Sequence, residues 1–374
     1  MTPFTRADTS ILGQWWWTVD RWSLAAIAAL MAFGALLAAA SSPSVAARIG
    51  LDEFYFIKRH FMLLPVAIAM IIAVSAMTPI QVRRLAVIAF VGCLFLLLIT
   101  LLFGVEIKGA RRWLSIAGFS LQATEFVKPM FAVVAAWLFS EAAHDPRFPG
   151  RLICTGLFAV VVALVIAQPD LGQAVVLTSV WMAQFFLAGL PMWLVAGFVV
   201  LGVSVLIGSY FTLSHVASRI DRFIDPKSGD TYQIERSIEA FSSGGLFGRG
   251  PGEGQVKQVL PDAHADFVFA VAGEELGMFV ALMIVALFAF IVLRGLTRAM
   301  SEQNLFVLLA VAGLLVQFGI QALINMGSSL QLIPTKGMTL PFISYGGSSL
   351  LGIAIGLGMT LALTRRRLGT GAST

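Results

Sequence analysis

The sequence predicts an all-α polytopic membrane protein with about ten transmembrane helices. Hydrophobic residues make up 58% of the 374-residue chain, whereas charged residues make up only 12%. Soluble domains are usually about 45–50% apolar and about 25% charged. The mean hydropathy of +0.89 agrees with this contrast. Such a chain cannot cover its surface with polar side chains, so lipid must be its solvent.

Ten segments are apolar over a length close to the roughly 20 residues that a spanning helix needs. They are residues 23–40, 61–77, 85–104, 125–143, 152–167, 172–189, 191–211, 267–294, 304–325 and 346–364. The fifth is short, and a tight turn over residues 168–172 joins it to the sixth. These two are therefore either full spans or a re-entrant pair.

The remaining residues divide into two short ends and one long loop. We expect residues 1–22 and 365–374 to flank a membrane domain over residues 23–364, and residues 1–22 and 368–374 to be disordered tethers. An even number of spans places both ends on one side, and the run Arg365 to Arg367 favours the cytoplasm. The loop over residues 212–266 lies on the opposite, extracytoplasmic face, and at roughly 55 residues it is far longer than a typical connection.

Several classes of function are disfavoured by composition. Cys93 and Cys154 lie in apolar runs and are expected to be small buried hydrophobes. With four scattered histidines they offer no zinc-site spacing. The net charge of +5 comes from residues that flank apolar segments and form no patch, so no nucleic-acid partner is expected.

Asp266 is the first candidate for chemistry, because it stands where the long loop meets the eighth apolar segment. A carboxylate at such a boundary loses part of its hydration, which favours proton uptake and suits it to act as a general base. Asp is also favoured at helix starts, so the alternative is a solvated N-cap. The residue alone leaves both interpretations open.

Four more charged residues, Glu125, Lys128, Glu274 and Glu275, lie inside apolar segments. Such groups are costly in lipid and are by default functional or paired. Asp266 and Glu274 are about two helical turns apart and so lie near one helix face. Glu125 and Lys128, at i and i+3, can pair with each other. Spacing alone does not decide between a polar cavity and structural ion pairs.

Three loop segments on the extracytoplasmic face add polar groups. Arg111 and Arg112 could hold a phosphate, since a guanidinium matches its oxygens, or could serve as interfacial anchors. Residues 244–254 are rich in glycine but lack the Gly-Lys-Ser/Thr ending of a nucleotide loop, so we interpret them as turns. Residues 332–349 contain helix-breaking Pro and Gly and predict either an ordered non-helical stretch that enters the last span or an ordinary interhelical loop.

Taken together, six motifs resemble the SEDS family of bacterial shape, elongation, division and sporulation proteins. They are residues 109–113, 122–128, 168–172, 219–233, 264–275 and 334–349. The resemblance extends from about residue 40 to residue 365, and the order and spacing of the motifs make it specific. Residues 334–347 are most similar to the cell-division branch. Ala265 stands where the family usually has Thr.

The resemblance implies a ten-helix fold and a peptidoglycan glycosyltransferase that polymerises lipid II at the outer face of the bacterial cytoplasmic membrane, at the division septum. It implies that Asp266 is the essential carboxylate, and that Glu125, Lys128 and Asp170 match polar residues important in the family. The implied partners are lipid II, a class B penicillin-binding protein with transpeptidase activity, and other division proteins.

On this hypothesis Asp266 is the general base of an inverting reaction, and fixed cations stabilise the leaving pyrophosphate. The candidate substrate-binding residues are Arg111, Arg112, Glu125, Lys128, Asp170, Arg219, Arg222, Gln233, Lys336 and Ser344. A divalent cation, Mg²⁺ or Mn²⁺, is a further candidate to stabilise the negative charge of the leaving pyrophosphate. The alternatives are a lipid II flippase or other transporter, and a divisome scaffold without chemistry of its own.

Overall fold

The computed structural model describes residues 10–107, 109–116, 118–189, 191–212, 216–218, 220–221, 232–334 and 336–365. Within these residues, eight helices are long and apolar enough to cross a membrane, and two shorter apolar helices, Leu171–Leu187 and Gly347–Leu363, accompany them. The predicted all-α polytopic fold class is therefore confirmed.

The principal helices follow the predicted order along the chain. They are α1 Ile11–Thr18, α2 Arg21–Arg48, α3 Tyr55–Ser75, α4 Pro79–Phe103, α5 Ala123–His144, α6 Gly150–Ala167, α7 Leu171–Leu187, α8 Met192–Thr212, α9 Tyr232–Gly244, α10 Val268–Met300, α11 Leu305–Ser329 and α12 Gly347–Leu363. Helices α5, α11 and α12 are buried over most of their length and form the centre of the bundle.

Both ends of the described chain lie at one face of the bundle, which we call the terminal face. Asp20, directly before α2, binds Arg294 near the end of α10 through Nε at 2.6 Å. Asp20 and Arg298 also line one small cavity together with Thr360 and Thr364 near the end of α12. The opposite end of the bundle, where the long loop lies, is the loop face.

The N-terminal segment is more ordered than the sequence suggests. Helix α1 buries Trp15, whose indole Nε1 donates a hydrogen bond to Ser75 Oγ at 2.8 Å. The expectation that residues 1–22 are a disordered tether is wrong for residues 10–22, because one tryptophan supplies enough buried apolar surface to dock the short helix. Residues 1–9 and 366–374 lie outside the described residues.

A small antiparallel sheet, which the sequence analysis missed, covers part of the loop face. Its strands are β1 Val105–Ile107, β2 Ala110–Ile116 and β3 Phe119–Leu121, in the order β1-β2-β3. Gly109 and Gly118 adopt φ of 76° and 80° at its two turns. Strands this short give too few alternations of apolar and polar residues to stand out in a sequence.

Helix α10 is interrupted, although its sequence predicts an unbroken span. Gly277, at φ 81°, breaks the helix, and the glycine-rich segment over residues 244–250 inserts there. Met278 N donates to Gly245 O at 3.0 Å, and Arg249 N donates to Glu274 O at 3.0 Å. Loop backbone thus replaces the helical hydrogen bonds that the break removes.

The insertion requires glycine where the two backbones meet. A Cβ added to Gly248 would lie 2.1 Å from Glu275 O, and one added to Gly277 would lie 2.3 Å from Gly248 N. The glycine-rich composition of residues 244–254 is therefore explained by close backbone packing as well as by turns.

We expect Gly248→Ala to destabilise the protein by about 3 kcal/mol, since it combines backbone strain at positive φ with steric overlap. Gly252→Ala is the matched control, because Gly252 also has a positive φ of 91° but its Cβ would meet no atom within 4 Å. It should lose only about 1–2 kcal/mol, the strain alone. Thermal unfolding in detergent measures both, and equal losses would contradict the packing argument.

Candidate active site

Asp266 lies in a tight turn directly before α10, on the loop face. The backbone N–H groups of Ala265 and Asp266 both donate to Asp262 O at 3.0 Å, which closes the turn. Asp262 holds a φ of 51°. The Asp266 side chain is half-buried, so it is partly withdrawn from solvent and still accessible.

A second irregular segment, residues 336–345, runs against this turn. Ser344 Oγ donates to Ala265 O at 2.5 Å, and Tyr345 N donates to His264 O at 2.9 Å. A Cβ added to Gly337 would lie 3.1 Å from Asp266 Oδ2, so the Gly337 backbone backs directly onto the carboxylate. The predicted non-helical stretch before the last span is confirmed, and it forms one wall of the Asp266 site.

Lys336 is the first residue of this wall and lies beside the start of α7. Its side chain is half-buried. A Cβ added to Gly172, in the first turn of α7, would lie 3.9 Å from Lys336 Cδ. The segment therefore places the Lys336 side chain next to the first turn of α7 and the following residue, Gly337, next to the Asp266 carboxylate.

Arg112 fastens the α6–α7 turn to β2. Its Nε donates to Gln168 O at 3.2 Å, and its Nη2 donates to Pro169 O. Asp170, in the same turn, accepts from Gln122 Nε2 at 3.1 Å and lies 3.9 Å from Arg112 Nη1. Burial raises the pKa of Asp170, and the Arg112 guanidinium opposes this. Part of the hydrogen-bonding capacity of Arg112 is thus used within the protein.

A buried ion pair lies deeper, among α5, α7 and α11. Lys128 Nζ donates to Glu125 Oε2 at 2.9 Å and to Gln321 Oε1 at 2.8 Å. Gln173 Nε2 donates to the other Glu125 oxygen at 2.6 Å. Gln321 Nε2 donates to Thr339 O at 3.2 Å, which links the pair to the segment beside Asp266. This network therefore binds the wall of the site, residues 336–345, to the interior of the bundle.

Glu274 and Glu275 hold the long loop in place. Glu274 Oε1 accepts from the backbone N–H groups of Gln255 and Val256 at 2.7 Å, and Oε2 accepts from Lys257 N at 2.9 Å. The Lys257 ammonium forms a buried ion pair with Glu275 and donates to Ala40 O at 2.9 Å. Both carboxylates are at most 1% exposed, which favours the structural over the functional interpretation.

His264 lies in an aromatic cluster beside the site. Its ring centroid is 4.4 Å from that of Phe56 and 5.5 Å from that of Tyr345. Arg59 lies over the neighbouring Tyr55 ring, 4.5 Å from its centroid, and donates to Gly118 O at 2.9 Å. Burial lowers the pKa of His264 to about 4, so the ring is neutral at neutral pH. Asp262 opposes and Arg48 assists this shift.

The structure brings most of the predicted site residues together and separates some. Asp266, Lys336 and Ser344 lie on the two facing segments, and Arg112, Asp170, Glu125 and Lys128 form the adjoining networks described above. Arg111 is exposed and its Nε lies 3.3 Å from Glu106 Oε2 across the β1–β2 ladder. Gln233 is half-buried in the first turn of α9. Arg219 and Arg222 lie outside the described residues.

Sequence reasoning missed Asn325 and Lys257 as contributors to the site. Asn325 is a fully buried amide in an apolar helix, and a polar residue in such a position is itself a signal. Lys257 lies in a loop that gives no hint of burial.

No metal centre is evident among the described residues, because no three His, Cys, Asp or Glu side chains there lie close enough together to hold an ion. The divalent cation stays a prediction.

The fold and site define a polytopic protein whose chemistry is gathered on one face, and comparison with known proteins places it in a family. A model of cell cycle proteins of the FtsW, RodA and SpoVE type matches residues 21–368, so the chain belongs to this family, the SEDS family. The resemblance to the division branch, FtsW, is confirmed by the relatives below.

Two curated relatives carry the same name. A probable peptidoglycan glycosyltransferase FtsW from Caulobacter vibrioides is 45% identical over 372 residues, which cover 99% of this chain and 95% of that protein. Another from Geobacter metallireducens is 35% identical over 350 residues, with 91% and 93% coverage.

Solved structures have the same fold. A chain of a peptidoglycan synthase complex that coordinates polymerization and crosslinking gives a TM-score of 0.76 at 25% identity, over 92% of this chain and 97% of that chain. The Thermus thermophilus rod shape determining protein RodA gives a TM-score of 0.68 at 24% identity, over 93% and 97%. The second likeness concerns the fold alone.

The buried Lys257–Glu275 pair gives a testable stability effect. We expect Lys257→Met to cost about 3–5 kcal/mol, because it leaves the Glu275 carboxylate buried without its counter-charge. The double variant Lys257→Met/Glu275→Gln should recover part of that loss. The matched control is Lys58→Met, whose ion pair with Asp52 is exposed (70% and 58%), and it should lose at most about 1 kcal/mol. Thermal unfolding in detergent is the measurement, and no recovery in the double variant would exclude the pair as the anchor.

His264 predicts a pH dependence of stability. Its folded pKa of about 4 lies below the ordinary value of 6.5, so between these values only the unfolded chain takes up the proton. The free energy of unfolding should therefore fall as the pH drops through this window, by about 3 kcal/mol in total. His264→Gln should flatten this dependence. Melting temperatures recorded from about pH 7.5 to about pH 4.5 test it, and identical slopes for both proteins would refute the assignment.

Proposed function

We propose that this chain is a peptidoglycan glycosyltransferase that polymerises lipid II into glycan strands at the division septum, with Asp266 as its general base. Membership of the family and the shared name of its curated relatives support the activity. The observation that carries the role of Asp266 is its position: a half-buried carboxylate on the loop face, so close to Gly337 that a Cβ added there would lie 3.1 Å from Asp266 Oδ2.

The reaction transfers a growing glycan from a polyprenyl pyrophosphate to the free sugar hydroxyl of another lipid II molecule. Asp266 takes the hydroxyl proton as the oxygen forms its bond to the anomeric carbon. The bond from that carbon to the pyrophosphate breaks, and the pyrophosphate leaves with the electron pair. One base and one direct displacement give inversion at the anomeric carbon.

The leaving pyrophosphate gains negative charge, so a fixed cation near it lowers the barrier. Lys336 is the best placed of the described candidates, because it directly precedes Gly337, which lies next to the Asp266 carboxylate, and its Cδ lies beside Gly172 in the first turn of α7. Arg112 is committed to carbonyls of that turn and orients it. A divalent cation, when bound, would supply further charge neutralisation to the pyrophosphate.

Transport is less well supported by these contacts. A flippase would use intramembrane charges to line its pathway. Glu125, Lys128, Glu274 and Glu275 are at most 3% exposed, and each is bound to other parts of the protein. The scaffold hypothesis is separated from catalysis by the test below.

The partner and location follow from the same reasoning. The solved relative that belongs to a peptidoglycan synthase complex supports a transpeptidase of the penicillin-binding class as partner, which would crosslink the new strands. Lipid II polymerisation on the loop face requires that face to be extracytoplasmic and the terminal face, with its cluster of Arg294, Arg298 and Arg365, to be cytoplasmic.

Asp266→Asn tests the general base. The amide keeps the shape of the side chain but cannot accept the proton, so we expect the rate of lipid II polymerisation to fall by about 10²–10⁴-fold. The assay uses the purified full-length protein with its transpeptidase and separates the glycan products by length. Thermal unfolding verifies that the variant is folded.

Asp262→Asn is the matched control, because Asp262 is the other carboxylate of the same turn and Asn tolerates its positive φ. It should retain activity close to wild type. Equal polymerisation by all three proteins would remove Asp266 from the mechanism. Absence of polymer from the wild type would favour the flippase, which a transbilayer lipid II assay measures directly, or the scaffold.

A further inference from the structure

Asn325 joins the two segments that form the Asp266 site. It lies near the end of α11 and is fully buried. Its side-chain nitrogen donates to Asp266 O at 2.9 Å and to Met338 O at 2.6 Å. A primary amide has two N–H groups, so both are used. The nitrogen must be the atom that faces these carbonyls, because an oxygen there would be repelled by both.

Both carbonyls lie outside the regular helical hydrogen bonds of the described residues. Asp266 precedes α10, and the first helical donors, Ala270 N and Val271 N, reach back only to Phe267 O. Met338 belongs to the irregular segment of residues 336–345. A buried carbonyl without a donor is costly, so Asn325 satisfies both groups and in doing so sets their separation.

Packing alone does not account for an amide here. Asn325 Oδ1 is buried and has no hydrogen-bond partner, which is itself unfavourable. An aliphatic side chain of similar volume would avoid this cost. The amide is therefore explained by its two N–H groups, which bind the Asp266 and Met338 carbonyls.

We propose that Asn325 is a positioning residue for Asp266, an inference that rests on the function proposed above. By fixing the Asp266 peptide and the Met338 peptide to one rigid helix, it holds the Asp266 carboxylate at its distance from Gly337. Gln321, one turn earlier on α11, binds Thr339 in the same segment and Lys128 in the buried network. The hydrogen bonds of Asn325 are therefore connected, through α11, to the buried network in the centre of the bundle.

Kinetics of lipid II polymerisation provide the first test, with the full chain in complex with its transpeptidase. We expect Asn325→Ala to lower kcat by roughly 10–100-fold, since a small misplacement of a catalytic group costs up to about 10²-fold. The KM for lipid II should change less than about three-fold, because binding is not removed. Gln317→Met is the matched control, a buried amide two turns away on the same helix, and it should keep kcat near wild type.

The pH profile separates positioning from simple loss of stability. In Asn325→Asp an ionised carboxylate donates no hydrogen bond, whereas the protonated acid donates one. The complete burial of this position favours the protonated form. The activity of Asn325→Asp relative to wild type should therefore rise as the pH is lowered, whereas the ratio for Asn325→Ala should stay level.

Amide hydrogen exchange tests whether Asn325 joins the two segments, without reference to activity. We expect Asn325→Ala to increase exchange in the peptides that cover residues 262–270 and 336–345 together, and Gln317→Met to leave both unchanged. If Asn325→Ala showed unchanged exchange and a wild-type kcat, the proposal would be overturned. A fall in kcat no larger than that of Gln317→Met would also overturn it. If the wild type forms no polymer, the proposed function fails, while exchange still decides whether Asn325 joins the two segments.

Discussion

The long loop that precedes Asp266 is held in place by the burial of Glu274 near the loop-face end of α10. Its carboxylate accepts three backbone N–H groups from residues 255–257, and no helix could supply these donors to its own side chain. A buried carboxylate without such partners would be prohibitively costly. The loop is therefore fixed to the helix by the need to satisfy this charge. Lys257 then neutralises Glu275 and ties the loop to α2 through Ala40.

Around this anchor, side chains that bind backbone carbonyls assemble the site from distant parts of the sequence. Asn325 binds the Asp266 and Met338 carbonyls, Ser344 binds that of Ala265, and Arg112 binds those of the α6–α7 turn. Irregular backbone near a membrane is stable only when its polar groups are satisfied by protein or water. The same contacts that stabilise these segments hold the carboxylate in a fixed place, as catalysis by positioned groups requires.

The sequence predicted the helices well because a spanning segment must be long and apolar, a requirement that eight of the described helices meet individually. It also located Asp266 and the intramembrane charges, since charge in an apolar context is rare. It did not predict the break at Gly277, because helix α10 reads as one apolar run and the inserted loop is about thirty residues away in sequence. The sheet over residues 105–121 was too short to recognise, and docking of α1 depends on Ser75, far along the chain.

Composition and local pattern by themselves determined that the chain lies in a membrane, how its spans are ordered, and which carboxylate stands at the boundary of the loop. Tertiary structure decided which of the charges predicted inside the apolar segments are buried in structural contacts. The sequence left open whether Glu125, Glu274 and Glu275 line a polar cavity or form structural pairs, because all three are acids inside apolar segments. Their partners come from other helices and from the long loop. Hydrogen bonds act over about 3 Å, so only the folded chain shows that these three acids are held by structural contacts and that Asp266 lies beside Gly337.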